Sequence, residues 1–171
     1  AQAAGFLFPQ PANTMSEQRA ARRGSLDSRV ERAIEVANSA DGQVICWCDL
    51  NSESSALAKG INGAVEVTGS QTDEQKEANI EAFVSGKARV LVSKSVLCGF
   101  GLNLQFARTS IFCGVTHSFE AFFQAVRRQW RFGVAGEVTC HVVSSELEGK
   151  VVANLKRKAA DAERLALETS K

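Results

Sequence analysis

Val44-Ile45-Cys46-Trp47-Cys48-Asp49-Leu50-Asn51-Ser52-Glu53 is the stretch that decides the fold. It opens as a short, continuous apolar run, the pattern of a strand buried on both faces. At Asp49 it turns polar, and Asn51 or Ser52 is placed to cap a short helix reaching Ile61. A buried strand that feeds directly into a helix is the unit from which parallel sheets are built.

Working outward, the same alternation holds on both sides. Upstream, Leu26, Val30, Ala33, Ile34 and Ala37 recur at helical spacing, with Ser25 as the N-cap, and Asp41-Gly42 turns the chain into the strand. Downstream, residues 63–67 read as a strand, and Thr72-x-x-Gln75 is a capping box opening a helix that ends near Ser85-Gly86. Strands are then expected at 89–93, 110–114 and 137–144, with Ser118 capping a helix that runs to about Trp130. Residues 146–169 read as one long helix carrying Val151, Leu155, Ala159, Ala162 and Ala166 on one face, and Lys156, Arg157 and Lys158 as a solvated run. Residues 1–24 look irregular and are expected to be a linker or the tail of a preceding domain. The expected domain spans residues 25–145: an α/β fold with a parallel sheet covered by helices on both faces. Ligands of such sheets bind at the carboxyl ends of the strands, so the loops after Cys48, Ser93 and Gly114 are the places to look for chemistry.

Bulk composition narrows the classes. At 171 residues with 44% hydrophobic and 23% charged, the chain suits one globular domain with tails. A net charge of +1 excludes a global basic field, so contact with nucleic acid must come from a few placed groups. No apolar run approaches the ~18 residues that a membrane span needs, and the start lacks the basic region of a signal peptide. The five cysteines, mostly in apolar runs, suit buried thiols in a reducing, cytoplasmic setting. Cys46 with Cys48, and Cys113 with His117, lack a second ligand pair at zinc spacing, so no metal site is expected.

Three segments carry candidate chemistry. In Gln124-Ala-Val-Arg127-Arg128-Gln-Trp130-Arg131-Phe-Gly133, Arg128 and Arg131 leave the same helical side, and Gln124 lies one turn earlier on that side. Paired guanidinium forks suit phosphate oxygens and stay charged; the plainer reading is a solvated basic helix end. In Val90-Leu-Val-Ser93-Lys94-Ser95-Val-Leu-Cys-Gly99-Phe100-Gly101-Leu102-Asn103-Leu104, glycines two apart permit close backbone approach, and Ser93, Lys94 and Ser95 supply donors at a strand end. A strand, a turn and a packed apolar helix would read the same way. In Val44–Glu53, a helix N-terminus follows a buried strand and is a ready anion site, or an ordinary strand-to-helix turn.

Together, in this order and spacing, the three segments resemble motifs IV, V and VI of the C-terminal lobe of superfamily-two helicases. Gly99-Phe-Gly-Leu-Asn-Leu104 is close to the Swi/Snf-type Gly-x-Gly-Leu-Asn-Leu, and Gln124-x-x-x-Arg128-x-x-Arg131 keeps the family's relative positions. Val67-Thr-Gly-Ser70, Glu81-Ala-Phe83-x-x-Gly86 and Arg89-Val-Leu-Val are similar to the family's connection between motifs IV and V. The chain as a whole is most similar to helicases of bacteriophages and mobile elements. The resemblance implies a RecA-like lobe in an ATP-dependent helicase or translocase. Arg128 and Arg131 would be arginine fingers acting on ATP and Mg²⁺ held mainly by an N-terminal lobe. Gln124, Gly101 and Asn103 would lie beside the nucleotide. Asn51, Ser52, Ser93, Lys94 and Ser95 would approach the nucleic-acid backbone, DNA rather than RNA. A phage source would place the protein in the host cytoplasm.

Arg127, Cys98 and Trp130 depart from the family pattern and leave the subfamily open. Trp130 is read as an interlobe or core aromatic rather than a base-stacking one. No Gly-x-x-x-x-Gly-Lys-Ser/Thr occurs, and so no Asp-Glu-x-x box goes with one. Hydrolysis needs that lysine and a Mg²⁺-holding acid, so the chain is expected to be a segment of a longer protein or to work with a partner chain. Two other readings remain: a non-catalytic RecA-like docking module for nucleic acid or protein, and a doubly wound small-molecule enzyme with its own pocket.

Overall fold

The computed structural model describes residues 14–97, 103–114, 119–130, 136–149, 152–154 and 156–161. Five strands form one sheet: β1 (Val44–Cys48), β2 (Ala64–Val67), β3 (Val90–Lys94), β4 (Thr109–Cys113) and β5 (Thr139–Val143), in the order β2-β3-β1-β4-β5. Every pairing is parallel, with Cys46 beside Val92 and Ile111 in the centre. Because all strands run one way, their carboxyl ends share one edge.

The helices are α1 (Met15–Gly24), α2 (Leu26–Ser39), α3 (Asn51–Gly60), α4 (Asp73–Val84) and α5 (Phe119–Arg127), followed by a 3₁₀ turn at Glu146–Glu148. Alternation along each strand divides the core in two. Val44, Cys46, Cys48, Val90, Val92, Ile111 and Cys113 face α2 and α3 through Val30, Ala33, Ala37, Leu57 and Ile61. Ile45, Trp47, Leu91 and Phe112 face α4 and α5 through Phe83 and Ala125. Helices therefore cover both faces, as the buried strand pattern implied. The Thr72 box is formed: its hydroxyl accepts from the Gln75 N–H, and the Gln75 side chain accepts from the Thr72 N–H.

Three local expectations change. Residues 15–24 are helical rather than irregular, opened by a Thr14–Glu17 capping box. Ser25 does not cap α2 with its side chain; its hydroxyl donates to the Ala21 carbonyl, because α1 runs almost directly into α2. Leu50, rather than Asn51 or Ser52, is the N-cap residue of α3, and the Glu53 carboxylate accepts the N–H groups of Asp49 and Leu50. The expected Ser118 cap lies outside the described residues, as does much of the apolar stripe expected along the last helix. Residues 152–154 and 156–161 are helical, with Lys156 and Arg157 exposed.

One buried polar cluster ties these elements together. Arg29 is 2% exposed, and its Nη1 lies 2.7 Å from Glu53, itself fully buried. Arg29 Nη2 donates to the Arg22 carbonyl at 2.6 Å, its Nε to Ser25 Oγ at 3.1 Å, and Nε also lies 3.6 Å from the buried Glu148 carboxylate. Arg22, on α1, pairs with Asp49 at 2.8 Å and reaches Glu53 at 3.5 Å. Burial works to raise the Glu53 pKa, but the two backbone N–H groups and the two arginines outweigh it and hold the carboxyl below its ordinary value of 4.5. Beside the cluster, Gly114 has φ +82°, and a Cβ there would lie 2.6 Å from Arg29 Nη1 and 2.9 Å from Arg22 Nη2.

Glu53→Gln should lower stability by about 3–5 kcal/mol in chemical denaturation, because it leaves Arg29 buried without its nearest counter-charge. Since the folded pKa of Glu53 is depressed, its contribution is present above the unfolded value near 4.5 and is lost as the pH falls through that value to the lower folded one. The acid-induced loss should therefore be shallower in the Gln variant; equal slopes would contradict the pairing. Gly114→Ala should cost about 1–3 kcal/mol, from the left-handed backbone and the displaced guanidinium groups; an unchanged denaturation midpoint would rule this out.

Candidate functional site

The chain leaves β1 toward β2 through α3 on one face of the sheet. It leaves β4 toward β5 through α5 on the other. Adjacent strands whose loops part to opposite faces open a crevice at their carboxyl ends, where doubly wound folds bind ligands. Here that crevice lies between β1 and β4 and is lined by Trp47, Cys48, Asp49, Ser95, Phe112, Gly114 and Phe122. Its volume is about 20 Å³, room for roughly one water molecule and far below the ~300 Å³ at which small-molecule pockets begin. Among the described residues it encloses no nucleotide-sized space, so the groups presented at its mouth are of most interest.

Arg128 is the residue so presented. It follows the last turn of α5, and its Nη1 donates to the Ser95 carbonyl in the loop after β3 at 3.3 Å. Its guanidinium carbon lies 5.8 Å from the Trp47 ring centroid. The Leu104 N–H donates to the Arg128 carbonyl at 3.2 Å, and the buried Gln129 amide donates to the Ala107 carbonyl at 2.8 Å. The segments around Ser93–Leu104 and Gln124–Gly133, distant in sequence, are thus stitched to each other by backbone and side-chain bonds. Gln124 is exposed on α5, one turn before Arg128. Arg131 and Gly101 lie outside the described residues.

The remaining candidates separate. Asn51 and Ser52 are exposed in the first turn of α3, on the same sheet edge. Asn103 is exposed, and its side-chain oxygen accepts from the Gln105 N–H at 3.2 Å in a local turn. Lys94 and Ser95 are half-buried at the end of β3. Ser93 does not fit a surface contact: it is fully buried, and its hydroxyl donates to the Val67 carbonyl at 3.1 Å, bracing β3 on β2. Its side chain points inward because strand alternation puts it on the face of Leu91, a placement that the polar letters Ser-Lys-Ser conceal. Trp130 is 60% exposed, so it is not a core aromatic. Trp47, Asp49, Arg22 and Arg29 were missed by sequence reasoning. Arg29 did leave a signal: it lies on the apolar stripe of α2 between Leu26 and Val30.

Burial pushes the Cys48 and Cys113 thiols up to about 12 and raises Cys46 as well, so none is a thiolate at neutral pH. Among the described residues no group of three or more His, Cys, Asp or Glu side chains is placed to hold a metal ion. Nor, among them, is any helix long and apolar enough to cross a membrane.

Comparison with known proteins accords with this geometry. A family model described as the helicase conserved C-terminal domain matches residues 27–133. The pre-mRNA-splicing ATP-dependent RNA helicase PRP28 of Chaetomium globosum is 29% identical over 126 residues, which are 70% of this chain but 18% of that protein. The chain thus spans about a fifth of the curated relative it matches. Among solved structures, the RNA helicase Prp28 from Chaetomium thermophilum bound to ADP superposes with a TM-score of 0.66 at 23% identity, covering 81% of this chain and 35% of that one. The E. coli DEAD-box protein SrmB, bound to regulator of ribonuclease activity A, gives a TM-score of 0.66 at 16% identity, covering 78% and 79%. The fold is the RecA-like one of helicase C-terminal domains.

Proposed function

Because this chain belongs to the helicase conserved C-terminal domain family, we propose that it is the second motor lobe of an ATP-dependent nucleic-acid helicase or translocase. The observation that carries this reading is Arg128, held at the carboxyl edge of the sheet by Ser95 and Trp47 and joined through Leu104 to the preceding motif. A guanidinium fixed there meets the terminal phosphate of a nucleotide lying on a facing lobe. Water attacks that phosphorus, the bond to the bridging oxygen breaks, and charge spreads over the oxygens. Arg128 and Arg131 would stabilise that charge, and Gln124, Gly101 and Asn103 are the residues that the motif resemblance assigns to the nucleotide. The facing lobe would supply the P-loop lysine and the acid that holds Mg²⁺; the P-loop motif does not occur in this sequence.

Lobe closure on ATP and opening after hydrolysis alternate the grip on the strand, since each state has its own affinity for it. Asn51, Ser52, Lys94 and Ser95 are the groups proposed to meet the backbone; the buried Ser93 is withdrawn from that set. Contacts of this kind are tolerant of sequence and sensitive to salt. The expectation of DNA and of a phage source gains no support from the relatives, and PRP28 is by name an RNA helicase. RNA is therefore the first strand to test. A nucleic-acid substrate also implies an intracellular setting.

In the two-lobe protein, Arg128→Ala and Arg131→Ala should each lower kcat for ATP by about a hundredfold or more with unchanged folding. Normal turnover in both would end the assignment. The 171-residue chain by itself should show no ATP turnover, and measurable hydrolysis by a clean preparation would reveal a nucleotide site of its own.

A further inference from the structure

We propose that Trp47 is a positioning residue for Arg128, holding the guanidinium ready at the cleft through the face of its indole ring. The inference rests on the reading of Arg128 as a group that acts on the terminal phosphate.

Trp47 is 2% exposed and sits at the carboxyl end of the central strand. Its ring is braced by Phe112, with centroids 6.5 Å apart, and Phe112 is braced in turn by Phe122 of α5 at 4.5 Å. The indole N–H is buried and makes no hydrogen bond among the described residues. The ring face does have an assigned neighbour: the Arg128 guanidinium, 5.8 Å from its centroid. That distance lies within the ~6 Å range of cation–π attraction, which strengthens when water is excluded.

The chemistry suits a finger. An aromatic face engages the flat side of a guanidinium, whereas phosphate is bound by the N–H fork in its plane. The Ser95 carbonyl fixes one edge of Arg128, and the ring fixes its tilt. Arg127, by contrast, lies exposed over Phe123 at 5.5 Å, away from the crevice lining. A guanidinium already oriented loses little freedom when the transition state forms, so the benefit appears in kcat rather than in the KM for ATP.

Two arms test this. In the two-lobe protein, Trp47→Leu should lower kcat about tenfold with a smaller change in KM, and Trp47→Phe, which keeps a weaker aromatic face, should fall between it and the parent. In an Arg128→Ala background, Trp47→Leu should add no further loss; multiplicative losses would overturn the proposal. Should Trp47→Leu fail to fold, Trp47→Phe carries the test, with an expected loss of about threefold at an unchanged Tm. In the 171-residue chain carrying Trp130→Phe, Trp47 is the remaining tryptophan, and Arg128→Ala should alter its emission. Unchanged emission would deny the contact. Normal turnover in Trp47→Leu beside a slowed Arg128→Ala would overturn this role alone. Normal turnover in Arg128→Ala would overturn this role, and normal turnover in Arg131→Ala as well would overturn the proposed function.

Discussion

Burying Arg29 against Glu53 sets the frame on which the rest of the lobe is hung. Two opposite charges taken out of water are tolerable only when every remaining donor and acceptor is matched. Here the matching groups come from four separate parts of the chain: the Arg22 carbonyl on α1, Ser25 between the first two helices, the Asp49–Leu50 turn after β1, and Glu148 after β5. Their convergence fixes the strand-to-helix turn at the carboxyl edge and holds α1 against it. Gly114 has a left-handed backbone, and a side chain there would displace the same two guanidinium groups. The crevice between β1 and β4 is thus shaped on one side by ion pairs and on the other by the aromatic stack of Trp47, Phe112 and Phe122.

What the sequence disclosed follows from which forces leave a pattern. The central strands were legible because burial on both faces demands unbroken apolar runs, and Val44–Cys48 is wholly buried. The Thr72–Gln75 box was legible because a cap is a local bond between near neighbours. Helix α1 was not read, although Thr14–Glu17 is a box of the same kind, because the helix it opens has no apolar stripe and its anchor, Arg22 on Asp49, lies 27 residues away. For the same reason Glu53 looked like an ordinary polar residue of a helix start. Ser93 misled because a strand end that is polar in letters still alternates in space, and its hydroxyl found a carbonyl on β2.

At the site, sequence placed Arg128 on a helix reaching about Trp130, whereas α5 ends at Arg127 and Arg128 follows it; Arg131 lies outside the described residues. Gln124 lies on α5 one turn before Arg128, and only the fold brings Ser95 and Trp47 beside Arg128. The division of labour is physical. Among the described residues the crevice encloses about 20 Å³, and the half-buried Arg128 guanidinium lies against two of its lining residues, Ser95 and Trp47. In the proposed function such a guanidinium would complete a site on the facing lobe, so that hydrolysis would depend on closure.

The central claim is that Arg128 is delivered to phosphate from this lobe. The most direct measurement is a structure of the two-lobe protein closed on ADP–beryllium fluoride with Mg²⁺ and a nucleic-acid strand. The account predicts Arg128 N–H groups within about 3 Å of the terminal phosphate mimic, with the guanidinium still over Trp47. A closed complex in which Arg128 remains remote from the phosphates, or leaves the Trp47 ring to reach them, would contradict it.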